Sequence, residues 1–327
     1  MAPIRMSSVG AEDDGKPRGA TGWQNAMKDF LSGTSLWICF GIASLVAYEQ
    51  MVLKLALDFK SIGLTFCHVL VIHKLDRLRD KPTLKSSVGR AFYVGRFNKR
   101  TAEKCILAAA SVGATTLWLQ SDLLVQVIYA FHFLLGITFV SPVLPLALGK
   151  SRAGVKAGKA IKTKVALRQI FVMAWKAFII VMAALFASRA DVALLASDAM
   201  RVELDSIALF AAAASFTSQN MQDMRDLGED RITGRQTISS ISGAKDTQKI
   251  VTFINLAAIL GQVAMSVLIG SNMGGLIRPE RLFVHLLAIA SVWVVPRASL
   301  LFSFISEALC AMPLFLIFGL RLVGVSF

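Results

Sequence analysis

Two short runs concentrate the residues that could do chemistry. Asn220-Met221-Gln222-Asp223-Met224-Arg225-Asp226-Leu227-Gly228-Glu229-Asp230-Arg231 carries Asp223, Asp226 and Asp230 at i, i+3 and i+7. That spacing stacks three carboxylates on one face of a helix. His73-Lys74-Leu75-Asp76-Arg77-Leu78-Arg79-Asp80 takes the same spacing through His73, Asp76 and Asp80. The runs stand 150 residues apart, and the match continues: Lys81 with Arg231, Thr83 with Thr233, Lys85 with Arg235. The correspondence points to an internal duplication, in which each half supplies one acidic helix end to a shared cavity.

Stacked carboxylates repel one another, and burial sharpens the conflict. A divalent cation removes it. Magnesium favours a few carboxylates together with substrate phosphate oxygens, and neighbouring Arg and Lys clamp the same phosphates. Asp76, Asp80, Asp223, Asp226 and Asp230 are the expected metal ligands and catalytic carboxylates. Arg77, Lys85, Arg231 and Arg235 are the expected diphosphate contacts. The stretch holding Lys156, Lys159, Lys162 and Lys164 is the most basic of the chain. Lys162 and Lys164 are its candidates for diphosphate capture, against a plainer reading as topology and headgroup charges. His73 reads as a weak metal ligand, as a base taking the final proton, or as a tolerated change beside the site. The competing reading of both clusters is a solvated helix boundary; two matched clusters on one face weigh against it.

The elements that must position these residues are apolar. Mean hydropathy is +0.61, with 55% of residues apolar and 17% charged, against roughly 25% charged in soluble domains. Lipid can cover that much apolar surface, and a span needs about 20 mostly apolar residues. Spans without alternating short strands are expected to be helices. Apolar runs fall near 34–53, 61–76, 103–119, 122–147, 167–187, 204–222, 248–270, 282–296 and 300–325. The expectation is an all-α, polytopic membrane bundle of about nine transmembrane helices around a central cavity. It occupies residues 33–327 as two halves, about 33–165 and 166–327, after a disordered polar leader over 1–32. The leader lacks the apolar core of a signal peptide, and its acids distinguish it from a transit peptide.

Loops alternate in charge. Residues 77–104 hold nine Lys/Arg, 150–168 seven and 225–249 five, while 120–121, 188–203 and 271–281 are short and nearly neutral. By the positive-inside rule the basic loops share the cytoplasmic or equivalent side. The net charge of +14 then reflects orientation and anionic ligands, and nucleic acid is not an expected partner. Cys39, Cys67, Cys105 and Cys310 are scattered and suggest no disulfide framework or metal motif.

Asp223-xx-Asp226-xxx-Asp230-xxx-Gly234-Arg235-x-Thr237, closing with Gly243, resembles the second aspartate-rich motif of the UbiA superfamily of intramembrane prenyltransferases. Leu75-Asp76-Arg77-xx-Asp80 resembles the end of the first. The resemblance implies a nine-helix bundle whose cavity opens laterally to lipid, with both motifs holding magnesium and an isoprenyl diphosphate. It implies ionisation of the diphosphate and transfer of the prenyl group to a lipophilic acceptor, or, as in some relatives, cyclisation to a terpene. Ile72 and His73 stand where the first motif opens with Asn and Asp, and Ile238-Ser239 replaces the proline that follows the second motif.

An allylic cation needs a dry cavity, and Trp118, Phe131 and Trp175 are candidates to shield it. His68, His132 and His285 are expected as interhelical hydrogen-bonders. Lys176, Glu307, Glu49 and Gln50 fall within or late in spans, where charge is functional, paired or interfacial. Besides transferase and cyclase, the remaining class is a transporter or non-catalytic membrane subunit. Repeated motifs on one face and an odd number of spans fit that class less well.

Overall fold

A computed structural model describes residues 36–79, 99–140, 198–228, 230, 237–268, 278–297 and 299–322. Their regular structure is helical throughout. The helices are α1 Leu36–Val52, α2 Phe59–Arg79, α3 Lys99–Leu119, α4 Leu123–Val140 and α5 Asp198–Arg225. They continue with α6 Ile238–Ser242, α7 Ala244–Leu268, α8 Pro279–Val294, α9 Leu300–Ala308 and α10 Met312–Leu322. The expected run 167–187 and the leader 1–32 lie outside the described residues; the described parts of the other apolar runs are mainly helical.

Local chemistry sets several boundaries. Thr237 caps α6 by accepting from the Ser240 amide, while Ser240 Oγ accepts from the Thr237 amide, a reciprocal capping box. Gly243, at φ 85°, ends α6 in a conformation that costs a glycine little. Ser299 caps α9 through the Phe302 amide, and Pro279 opens α8. The last apolar run is one rod interrupted by a 3₁₀ turn at Leu309–Ala311. Pro313 accounts for the interruption: it lacks the amide that would bond the Leu309 carbonyl and its ring crowds that carbonyl.

α5 is the central helix. Phe210, Ala211, Ala213, Ala214, Ser215, Phe216, Thr217 and Ser218 are buried in succession, so it is covered on all sides. It packs against α7, α8 and α9, and one apolar core joins it to α1, α2 and the last helices. Small residues allow close approach. A Cβ on Gly41 of α1 would stand 3.3 Å from Cys310 Cβ and 3.5 Å from the Glu307 carbonyl oxygen.

The outer surface is apolar too. Phe253, Leu256, Leu260 and Val267 on α7, Phe283, Leu286 and Trp293 on α8, and Leu123, Val127, Phe131 and Leu134 on α4 are exposed. Among the described residues, two helical segments, Ala244–Val267 and Leu300–Leu322, are long and apolar enough to cross a membrane. The first is only 22% buried over its most apolar window. A core helix of a soluble domain would have protein over that face, and an apolar surface of this extent marks contact with something apolar.

Candidate functional site

The chain direction of each helix follows from its contacts. Gln50 Nε2, near the end of α1, donates to Ser61 Oγ at the start of α2 (3.1 Å). Tyr48, one turn earlier, meets Arg281 at the start of α8, and Arg281 meets Ser206 early in α5. α2, α5 and α8 therefore all start at the end of the bundle where α1 finishes. The carboxyl ends of α2 and α5 accordingly point toward the opposite end, the acidic end.

In the second cluster, Asp223 and Asp230 are buried at 5% and 4% exposure, although carboxylates rarely are. Gln219 Nε2 donates to Asp223 Oδ1 at 3.5 Å. Thr237 Oγ1 donates to Asp230 Oδ2 at 3.3 Å, so the residue that caps α6 also holds the third aspartate. The Asp230 amide donates to the Asp226 carbonyl at 2.9 Å, which carries the helical path one turn beyond the end of α5.

Asp226 is arranged differently. Arg225 takes both its oxygens, Nε on Oδ1 at 2.8 Å and Nη2 on Oδ2 at 3.0 Å. Nη1 of the same guanidinium donates to Glu307 Oε1 of α9 at 3.0 Å. Arg225 and Glu307 side chains are 6% and 5% exposed, Asp226 36%. The triad is thus sealed within the bundle at Glu307 and open at Asp226. Burial alone would lower the Arg225 pKa, but the Asp226 and Glu307 carboxylates outweigh it and hold the guanidinium above its ordinary value.

The first cluster is described in part. His73 is half-buried, and Lys74 is fully buried with its Nζ 2.6 Å from Glu103 Oε2 of α3. Asp76 and Arg77 lie on the last turns of α2, at the acidic end, with side chains outside the described residues. Asp80, Lys85, Lys162, Lys164, Arg231 and Arg235 lie outside the described residues altogether, as do Trp175 and Lys176.

Two aromatic candidates sit away from the aspartates. Trp118, near the end of α3, donates from Nε1 to the Gln126 carbonyl at 2.8 Å, and Phe131 faces outward on α4. His285 bridges helices as expected: Nδ1 pairs with Asn255 Oδ1 (2.8 Å) and Nε2 with Gln262 Nε2 (3.0 Å). With Asn255 Nδ2 donating to Thr217 Oγ1, α5, α7 and α8 are interlocked. His68 and His132 stack on one another across α2 and α4, ring centroids 4.5 Å apart.

Among the described residues, no three His, Cys, Asp or Glu side chains converge to hold a metal ion. Asp223 and Asp230 offer hard oxygen donors of the kind magnesium takes, and a full set would draw on Asp76 and Asp80 as well. Sequence reasoning missed the roles of Arg225 and of the Lys74–Glu103 pair. The available signal was a basic residue amid acids at helix ends; its partners are distant in the chain. No known family, curated protein or solved structure matches this chain.

Proposed function

We propose that the chain is a multi-pass integral membrane prenyltransferase that uses magnesium to bind and ionise an isoprenyl diphosphate. The reading rests on the directions of α2 and α5, which carry the two acidic runs at or near their carboxyl ends and run toward the same end of a bundle with an apolar exterior. Supporting it are the buried hard-oxygen donors of Asp223 and Asp230, of the kind magnesium takes, and the motif resemblance over 223–243. The apolar faces of α4, α7, α8 and α10 fit a surround of lipid, and about nine spans would complete the bundle.

Asp76, Asp80, Asp223, Asp226 and Asp230 would hold magnesium, which when bound neutralises charge on a departing diphosphate. The reaction breaks the allylic C1–O bond, and its electron pair leaves with the diphosphate. The allylic carbon is then captured by a nucleophilic atom of the acceptor, which gives up a proton. Arg77, Lys85, Lys162, Lys164, Arg231 and Arg235 would bind the phosphate oxygens, and His73 would accept the proton. Thr237 keeps Asp230 in place. Arg225 restrains Asp226, and when an Asp226 oxygen turns to a ligand, Glu307 still balances the guanidinium.

A second reading is terpene cyclisation at the same site, favoured by His73 standing where the first motif carries an aspartate. The test incubates purified protein with isoprenyl diphosphates of several lengths, with and without magnesium and acceptor lipid. Magnesium-dependent diphosphate release with a prenylated acceptor supports transfer, and a cyclic product without acceptor supports cyclisation. Absence of diphosphate turnover in every arm overturns both.

A further inference from the structure

The end of the bundle remote from the aspartates holds a second concentration of buried charge. Arg281 is fully buried and donates from Nε to Tyr48 Oη (2.7 Å), from Nη1 to Ser206 Oγ (2.8 Å) and from Nη2 to Glu203 Oε1 (2.6 Å). Tyr48 Oη donates in turn to Glu280 Oε1 (2.9 Å), and Arg278 stands 3.6 Å from Glu203. Two cations, Arg278 and Arg281, thus meet two anions, Glu203 and Glu280, and the charges cancel.

Glu49 is the fifth ionisable group there, and it has no counterpart. Its side chain belongs to a residue 1% exposed, and neither carboxyl oxygen has a hydrogen-bond partner. Neighbouring donors are committed. Gln50 Nε2 goes to Ser61 Oγ, Tyr48 Oη to Glu280, and Tyr129 Oη is shared between Thr65 Oγ1 and the Ser61 carbonyl. All three Arg281 guanidinium nitrogens donate elsewhere. The other groups around this end are Asp58 before α2, His68 on α2, Tyr129 on α4, and the exposed Lys54, Lys60, Asp205 and Arg321, whose charges face solvent. Asp58 and Tyr129 are acids themselves, His68 lies deeper along α2, and none supplies a cation to Glu49.

A bare carboxylate in such a place costs several kcal/mol by order of magnitude, and a carboxyl group so placed is neutralised instead. The geometry points to Glu49 as a proton-binding site inside the bundle, occupied while the four surrounding charges cancel one another. The adjacent connection between α1 and α2 is polar: Gln50 Oε1 accepts from the Asp58 amide (3.0 Å), and Ser61 Oγ donates to the Asp58 carbonyl (2.9 Å). The ligand is a proton exchanged with solvent at the face opposite the aspartates. Nothing in this inference depends on the prenyltransferase reading.

Infrared spectroscopy of the full chain in lipid nanodiscs tests it directly. Wild-type protein at neutral pH is expected to show a protonated-carboxyl stretch that is absent from Glu49→Gln. Glu49→Gln, a neutral mimic, should keep the wild-type melting midpoint, and Glu49→Ala should lower it. An identical carboxyl region in wild type and Glu49→Gln overturns the proposal, as does a Glu49→Gln midpoint as low as that of Glu49→Ala. A measurement on unmutated protein covers failure of a variant to fold. Treatment with a lipid-soluble carbodiimide, mapped by mass spectrometry, should place an adduct on Glu49. No adduct there, or one blocked by added sodium or magnesium, overturns it.

Discussion

The aspartates of the second cluster differ in what each must give up to bind a ligand. Asp223 and Asp230 are buried and accept from Gln219 Nε2 and Thr237 Oγ1 respectively, whereas the more exposed Asp226 is held through both oxygens by Arg225. Asp223→Asn and Asp230→Asn are each expected to cut diphosphate turnover by at least ~100-fold, read as product formed per minute at saturating magnesium. Chelation with EDTA should abolish turnover, and added magnesium should restore it. Arg225→Gln leaves Glu307 buried without its partner and is expected to cost about 3–5 kcal/mol, measured by denaturant unfolding. The double change Arg225→Gln, Glu307→Gln removes both charges and should recover much of that loss; an additive further loss would dismiss the coupling.

At the scale of elements, the acidic end is held by contacts between helix ends. The buried Lys74–Glu103 pair ties the end of α2 to the start of α3. Breaking it with Lys74→Ala should cost about 3–5 kcal/mol, and joint replacement by Met and Leu should be near neutral, again by unfolding. Thr237 does two jobs, closing the capping box of α6 and donating to Asp230. Thr237→Ala is expected to lose about 1 kcal/mol of stability together with turnover, while Thr237→Ser keeps both. Close packing of α1 on the 3₁₀ turn leaves little room at Gly41. Gly41→Ala should lower the melting midpoint by a few degrees through displacement of the turn beside Glu307.

For the molecule as a whole, opposed ends and an apolar belt make a prediction about membrane sidedness. Lys60 at the start of α2 and Lys245 at the start of α7 are both exposed, at opposite ends of the bundle. Single cysteines placed there on a cysteine-free background should react with an impermeant maleimide from opposite sides of sealed vesicles, Lys245→Cys from the side of the basic loops. Labelling of both from one side would rule out a bundle crossing the bilayer in this orientation.

The amino-acid sequence by itself determined that the chain is helical and apolar, where most helices lie, and which acids share a helical face. Those properties are local: periodicity, hydropathy and i, i+3 spacing need no knowledge of distant neighbours. Helix ends were legible to within a few residues, and the break at 309–311 follows from Pro313. Tertiary structure decided which charges are already satisfied. Asp226 looked equivalent to Asp223 and Asp230 by spacing, yet it is paired through both oxygens with a neighbouring arginine whose other partner, Glu307, lies 82 residues away in the chain. Glu49 is read by its sequence as an acid near the end of an apolar run, and only packing separates its carboxyl from every donor around it. Hydrogen bonds and ion pairs act over a few ångströms between residues remote in the chain, so their assignment waits on the fold.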